Sequence, residues 1–251
     1  MDIERPLYLN KLISKKDNGR IKIITGIRRC GKSHLLFKIY KDYLKNIGIL
    51  DEQIIELILD DFSNLMYRNP FELDKYIRNK IKNEYKKYYV FIDEIQLVNS
   101  IQNPYVPNGD KITFIDVVMG LMKIKNVDLY ITGSNSKMLS TDILTQFRDR
   151  SDEIRVYPLS FKEFYSVYTK DKRFAFEEYC IYGGLPFITT LNEHKDKSDY
   201  LLNLFTNTYL KDVIERNNIR KDLSILEDLM NIVASSIGSL TNPARIANTL
   251  L

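Results

Sequence analysis

Short runs rich in β-branched and aromatic residues alternate with stretches in which apolar residues recur at helical spacing. The alternation begins near residue 21 and is typical of a parallel sheet with helices on its faces. The apolar runs predict five strands, at 21–25, 54–60, 88–93, 127–132 and 153–157. We therefore expect an α/β fold built on a five-stranded parallel sheet.

Three helices are predicted between these strands. Apolar residues between 35 and 44 share one face of the first helix. Asn69 and Pro70 supply an N-cap and a first-turn proline for the second helix, and a predicted loop at 102–110 precedes the third. The residues expected to face inward from the second and third helices are Tyr76, Ile77, Ile81, Tyr85, Phe114, Val117, Val118, Leu121 and Met122.

After Pro158 the strand pattern ends, and the remaining residues read as helices interrupted at 183–186 and near 217–218. Gly183, Gly184 and Pro186 are expected to form a tight turn between two of these helices. The boundary between the α/β part and the helical part is placed at Tyr157. The final segment from residue 241 begins a capped helix and has no stop signal, so we expect that the chain is cut short.

Composition excludes several classes of protein. Of the 251 residues, 44% are hydrophobic and 28% charged, as in ordinary globular proteins, and the net charge of +4 permits a nucleic-acid partner without requiring one. Cys30 and Cys180 cannot build a disulfide framework, and His34 and His194 cannot build a histidine-rich zinc site. No secretory signal or run of roughly 20 apolar residues is present. We expect a cytoplasmic protein without a membrane segment.

The pattern G-x-x-x-x-G-K-[ST] occurs directly after the first predicted strand and directly before the first predicted helix. In such a loop, glycines let backbone N–H groups surround a phosphate, and the helix N-terminus favours the same anion. Lys32 is expected to bind the β and γ phosphates, and the Ser33 hydroxyl to bind Mg²⁺. The predicted nucleotide-binding residues are Gly26, Ile27, Arg28, Arg29, Cys30, Gly31, Lys32, Ser33 and His34.

Two carboxylates, Asp93 and Glu94, end the apolar run at 88–93. At the carboxyl edge of a parallel sheet, Asp93 is expected to bind Mg²⁺ and Glu94 to orient or deprotonate a water molecule. A carboxylate beside the metal ligand favours hydrolysis over transfer to an acceptor. ATP is favoured over GTP because the chain has no N-K-x-D sequence.

Two further groups of residues are candidates for catalytic roles, and each has an alternative structural role. Ser134 or Asn135, after the fourth strand, would sense the γ-phosphate or position water; alternatively, the segment is a polar turn in which Asn135 or Ser136 caps the next helix. Arg148 or Arg150 would reach the nucleotide of a neighbouring subunit in a homo-oligomer, or would pair with surface carboxylates. The catalytic set predicted from sequence is Glu94, Lys32, Ser134, Asn135 and Arg150.

The segments GIRRCGKS, YYVFIDE, LYITGSNS, RVYPLSFKEF and YGGLP resemble the prokaryotic AAA+-type P-loop ATPases, in which a short ATPase core precedes a helical lid and a winged helix. The resemblance spans nearly the whole chain and implies a P-loop NTPase fold at 1–157, a helical lid at 158–222 and the start of a winged helix at 223–251. It also implies ATP and ADP as ligands, Mg²⁺ as cofactor, and Lys32, Ser33, Asp93 and Glu94 as site residues.

Family members typically continue into a nuclease-like domain. The third helix of the winged helix, which would enter a DNA groove, would follow Leu251. We therefore expect a longer form of the protein, rather than this chain, to bind DNA. Three functions are distinguished: an ATPase that drives or gates an attached module, a nucleotide-gated scaffold or switch with negligible turnover, and a small-molecule kinase, which ranks last.

Overall fold

The computed structural model describes residues 3–106, 109–133, 147, 150–169, 171–211, 214, 223–240 and 242–250. The chain divides into two compact units, Met1–Leu202 and Asn203–Leu251. Among the described residues, no helix combines the length and apolar character needed to cross a bilayer. The division of the chain into an ATPase core, a lid and a winged helix stays a prediction.

The first unit is built on a five-stranded parallel sheet, as expected. Its strands are β1 (Ile21–Thr25), β2 (Ile54–Ile58), β3 (Tyr88–Asp93), β6 (Val127–Thr132) and β7 (Ser151–Arg155). They lie in the sheet in the order β2-β3-β6-β1-β7. A separate antiparallel pair, β4 (Ile101–Gln102) and β5 (Lys111–Ile112), lies between β3 and β6 in the chain.

Helices cover the sheet and form most of the region after it. In the first unit they are α1 (Pro6–Lys15), α2 (consecutive segments Lys32–His34, Leu35–Tyr40 and Lys41–Asn46, the middle one π-helical), α3 (Pro70–Lys80), α4 (Phe114–Leu121), α5 (Phe161–Tyr165) and α6 (Lys172–Tyr182). Short 3₁₀ segments are Asp51–Gln53, Phe62–Arg68, Ile95–Leu97 and Pro186–Thr190. α7 (His194–Leu204) continues as a π-helical turn (Phe205–Tyr209), and α8 (Leu223–Ser235) and α9 (Pro243–Leu250) follow in the second unit.

Apolar side chains form a core on each face of the sheet, which explains why its central strands are mostly apolar. One core lies between the sheet and α3 and α4, and contains Leu73, Ile77, Val117, Val118 and Leu121. The other lies between the sheet and α1 and α2, and contains Tyr8, Leu12, Leu35, Leu36, Tyr40 and Leu44. The inward faces predicted for α2, α3 and α4 are confirmed at these positions.

Two predicted strands have other boundaries in the structure. The strand predicted at 54–60 ends at Ile58, because the chain then turns and the Asp61 carboxylate accepts a hydrogen bond from Ser63 N (2.9 Å) at the start of a 3₁₀ segment. The strand predicted at 153–157 begins two residues earlier and ends at Arg155. Its first residues are polar because Asp152 accepts a hydrogen bond from Lys15 of α1 (2.7 Å), so they carry no apolar signal.

Two further predictions need correction, and one helix was missed. α3 ends at Lys80, so Tyr85 lies outside the helix and is 99% exposed instead of facing inward. Gln102, predicted within a loop, pairs with Lys111 in the small antiparallel sheet. α1 was not predicted, because only Tyr8 and Leu12 of its residues are buried and this i, i+4 pair is too short a periodic signal.

The predicted turn at Gly183 and Gly184 is confirmed, and the structure explains why it contains glycine. Gly183 has a φ of 72° at the end of α6. Gly184 O accepts a hydrogen bond from Leu159 N (2.6 Å), and a Cβ on Gly184 would lie 2.1 Å from Leu159 O. The turn therefore holds the segment before α5 through a backbone contact that a side chain would prevent.

Candidate nucleotide-binding site

The loop between β1 and α2 has the backbone conformation that its glycines permit. Gly26, Arg29 and Gly31 have positive φ angles of 151°, 64° and 97°. A Cβ on Gly26 would lie 2.3 Å from Val156 O, so only glycine fits at this position. Gly31 is the N-cap of α2, and the loop therefore leads its backbone directly into a helix N-terminus.

Lys32 is the first residue of α2, and its side chain is buried against the loop. Its Nζ donates hydrogen bonds to Gly26 O (3.0 Å) and Ile27 O (3.1 Å). These carbonyls are weak, uncharged partners for a buried ammonium, and an anion in the loop would be a stronger one. Lys32 thus provides a positive charge within the turn of the loop.

Ser33 and Asp93 meet at the carboxyl edge of the sheet. Ser33 Oγ donates a hydrogen bond to Asp93 Oδ2 (2.7 Å), and the hydroxyl of Thr132, at the end of β6, donates to Asp93 Oδ1. Asp93 is 5% exposed and Thr132 is fully buried, so both carboxylate oxygens are held by side-chain hydroxyls away from bulk water. Hydroxyl and carboxylate oxygens are the ligands that Mg²⁺ uses.

Glu94 leaves β3 in a strained conformation. Its φ and ψ are 52° and 47°, the left-handed region, which costs a non-glycine residue about 1 kcal/mol or more. Its carboxylate accepts a hydrogen bond from Gln96 Nε2, and the side chain is half-buried. Residues held in this region concentrate at functional sites, and the strain directs the Glu94 side chain independently of the alternation along β3.

The other predicted loop residues differ in their surroundings. Ile27, Arg28, Arg29 and His34 are exposed. Cys30 is buried and its Sγ donates a hydrogen bond to Val156 O (3.4 Å). Burial raises the pKa of the Cys30 thiol, against the opposing effect of the nearby Lys32 and Arg5 charges. The thiol is therefore neutral and inaccessible, as expected of a small packed residue in a loop.

Ser134, Asn135 and Arg148 lie outside the described residues. Arg150 is exposed, and its Nη1 lies 4.0 Å from Met119 Sδ. It directly precedes β7, whose first residue pairs with the first residue of β1, whereas the loop follows the last residue of β1. Arg150 is therefore separated from the loop of its own chain by the length of a strand, about 16 Å.

The structure thus brings together Gly26, Lys32, Ser33 and Asp93, with Glu94 next to them in the chain. Sequence reasoning missed Thr132 and Gln96. The signal for Thr132 was its place at the end of a predicted buried strand, and for Gln96 its spacing two residues after Glu94.

A family model described as an AAA domain matches residues 18–165, more than half of the chain. The chain belongs to the AAA domain family. This confirms the expected AAA+ P-loop ATPase family, and the parallel sheet described above confirms the expected P-loop NTPase α/β fold. A second family model, described as a domain of unknown function, matches residues 173–250.

This AAA domain protein is similar to uncharacterized proteins from two distant organisms. A Haemophilus influenzae protein is 36% identical over 253 residues, covering 99% of this chain and 59% of the relative. A Methanocaldococcus jannaschii protein is 31% identical over 268 residues, covering 99% of this chain and 52% of the relative. The chain therefore spans little more than half the length of these relatives.

Two solved structures illustrate the similarity to known proteins. The Saccharomyces cerevisiae Hsp104:casein complex is 13% identical, with a TM-score of 0.42 over 64% of this chain and 27% of that chain. Caenorhabditis elegans PCH-2 is 18% identical, with a TM-score of 0.40 over 64% of this chain and 42% of that chain. The family assignment rests on the family model rather than on these structures.

Proposed function

We propose that this AAA domain protein binds ATP together with Mg²⁺ and hydrolyses it to ADP and phosphate. The observation that carries the proposal is the hydrogen bond between Ser33 and Asp93. It joins the residue after Lys32 to the end of β3, so that an ammonium, a hydroxyl and a carboxylate meet at one sheet edge. This combination suits a triphosphate bound with a divalent cation.

The loop residues fit a phosphate group. Positive φ angles at Gly26, Arg29 and Gly31 produce the kind of turn in which successive N–H groups converge on an anion. Lys32 would exchange its two carbonyl contacts for phosphate oxygens, a gain in charge complementarity. No covalent bond to the protein is required, because catalysis of phosphoryl transfer is mainly positioning and charge stabilisation.

Ser33 and Asp93 would hold Mg²⁺, which, when bound, neutralises charge on the phosphates. Thr132 would keep the Asp93 carboxylate in one orientation through its hydroxyl. Glu94 would act as the general base that orients or deprotonates the attacking water. Lys32, Ser33, Asp93 and Glu94 are therefore the residues assigned to the reaction.

One observation favours a second function, a nucleotide-gated switch with negligible turnover. The Glu94 carboxylate is hydrogen-bonded to Gln96, which restricts a base that must face water. Under this alternative, ATP binds tightly but phosphate is not released. If Gln96 restrains Glu94, Gln96→Ala should raise the rate of phosphate release. If Glu94 already acts as the base in the unmodified protein, Gln96→Ala should change this rate little.

ATP labelled at the γ-phosphate distinguishes these functions. Lys32→Ala should lose nucleotide binding, and Glu94→Gln should keep binding but lose phosphate release. Hydrolysis that continues unchanged in Glu94→Gln would remove this residue from its role. Label that moves to an added small-molecule acceptor instead of to water would replace hydrolysis with a kinase reaction.

The partners of the protein are also proposed. Because Arg150 is exposed and at the edge opposite its own loop, it is free to act on the nucleotide of a neighbouring subunit in a homo-oligomer. A mass measurement with and without ATP tests assembly, and Arg150→Ala should lower turnover without lowering ATP affinity. We also propose that ATP turnover drives or gates an attached module, with DNA as its candidate partner.

A further inference from the structure

Arg5 lies in the short segment before α1, and its side chain is only 3% exposed. Its Nη1 donates a hydrogen bond to Cys30 O in the loop (2.9 Å). Its Nη2 donates to Tyr157 O (2.8 Å) and Pro158 O (3.5 Å), and its Nε donates to Glu163 Oε1 (3.0 Å). One cation is therefore bonded to the phosphate-binding loop, to the segment after β7 and to the first turn of α5.

The second oxygen of Glu163 completes the capping box of α5, whose N-cap is Ser160. Glu163 Oε2 accepts hydrogen bonds from Ser160 N (2.8 Å) and Ser160 Oγ (2.9 Å), and Ser160 Oγ accepts one from Glu163 N (3.3 Å). Burial raises the pKa of Glu163, but the hydrogen bonds from Ser160 and Arg5 outweigh this effect and hold the pKa below its ordinary value. The carboxylate is thus ionised while it links Arg5 to the start of α5.

The contact with Cys30 bears on how the loop faces an anion. A loop that binds phosphate through N–H groups must direct its carbonyls elsewhere, because a carbonyl oxygen repels the anion. Arg5 donates a hydrogen bond to the Cys30 carbonyl, and the Cys30 thiol donates one to Val156 O. The next residue, Gly31, is the N-cap of α2, and a Cβ there would lie 3.7 Å from Arg5 Nη1. Arg5 therefore contacts the loop at the point where it enters the helix.

We propose that Arg5 is a positioning residue that orients the phosphate-binding loop and couples it energetically to α5. This inference rests on the proposed nucleotide function. The guanidinium is suited to the task because its planar fork donates in several fixed directions at once, whereas a lysine ammonium at the same place cannot satisfy the loop, the β7 segment and Glu163 together. The Glu163 carboxylate supplies the compensating charge.

The test compares binding of a fluorescent ADP analogue with Mg²⁺ to three variants of the full chain. Arg5→Lys and Glu163→Gln should each raise the dissociation constant by about tenfold or more, as is usual for residues that orient a binding group. Arg78→Lys is the matched control, because Arg78 also donates to a carboxylate, Asp74 (2.7 Å), but on the exposed surface of α3. Its affinity should stay within about twofold of the unmodified protein.

A role in folding alone would lower the melting temperature of Arg5→Lys but leave the affinity of the folded protein unchanged. Folded Arg5→Lys with unmodified affinity would therefore overturn the inference. Failure of the unmodified protein to bind the analogue would instead refute the proposed function. If Arg5→Lys does not fold, hydrogen exchange of the unmodified protein decides: Mg-ADP should slow exchange in residues 160–166, and unchanged exchange there contradicts coupling.

Discussion

Replacing Thr132 with valine would remove one hydrogen bond from the Asp93 carboxylate and little else. Thr132 is fully buried, and valine has nearly the same shape, so no cavity forms. A hydrogen bond to a charged group contributes about 1.5–3 kcal/mol to stability. For a chain of this size, the melting temperature should therefore fall by roughly 3–12 °C. Among the described residues, Ser33 would then be the one remaining side-chain partner of the Asp93 carboxylate, and its orientation would be less restricted.

The matched control is Thr25→Val, at the carboxyl end of the neighbouring strand. Thr25 is also fully buried, and its hydroxyl donates to Glu153 Oε1 (2.7 Å), a carboxylate with no assigned role in binding. Both variants should lose stability to a similar extent. Only Thr132→Val should lose Mg²⁺-dependent ATP affinity, by about 10–100-fold, as when a group that orients a metal ligand is removed.

The assay is a titration of ATP into each folded variant, with Mg²⁺ and with EDTA. Thr132→Ser keeps the hydroxyl and should restore affinity in the presence of Mg²⁺. The reasoning is refuted if Thr132→Val and Thr25→Val bind Mg-ATP equally well, or if the loss for Thr132→Val is the same in EDTA.

The remaining predictions concern packing and titration elsewhere in the first unit. Gly184→Ala should lower the melting temperature by several degrees because its Cβ would meet the Leu159 backbone at 2.1 Å. Gly120→Ala in α4 should not, because its Cβ would only come into van der Waals contact with Arg78 Nη2 at 3.4 Å; equal effects would contradict this explanation of the turn. A thiol reagent should modify exposed Cys180 in the folded protein and buried Cys30 only after denaturation, and rapid labelling of both would show that the loop opens. Glu163 has a lowered pKa, so its stabilisation is present above its ordinary pKa of 4.5 and is lost as the pH falls through the lower folded value. As the pH falls below 4.5, the unmodified protein should therefore lose more stability than Glu163→Gln, in which this titration is absent; identical losses would contradict the role of the Glu163 carboxylate.

Much of the sheet could be predicted from the sequence because its central strands are buried on both faces. β1, β3 and β6 are rich in Ile, Val, Leu and aromatic residues, and their predicted limits match the structure. β7 begins with Ser151 and Asp152, which are polar because they lie at the edge of the sheet and contact α1. Such partners come from distant parts of the chain, so local pattern does not reveal them.

The candidate site also contains some residues that local sequence predicts and others that depend on distant contacts. Gly26, Lys32, Ser33 and Asp93 occur in short motifs whose spacing carries the chemistry. Thr132 contacts Asp93 across 39 residues of sequence, and Arg5 contacts Glu163 across 158. Their roles depend on strand order and on the return of the chain after β7, which no local spacing encodes.

Calorimetric titration of Mg-ATP into the folded protein tests whether the loop binds nucleotide, with Lys32→Ala as the comparison. We expect saturable heat with about one nucleotide per chain for the unmodified protein. We expect no heat for the variant, because it lacks the ammonium that would leave the carbonyls of residues 26 and 27 and bind phosphate. Absence of heat from a well-folded, unmodified sample would contradict the account, as would equal heat from both proteins.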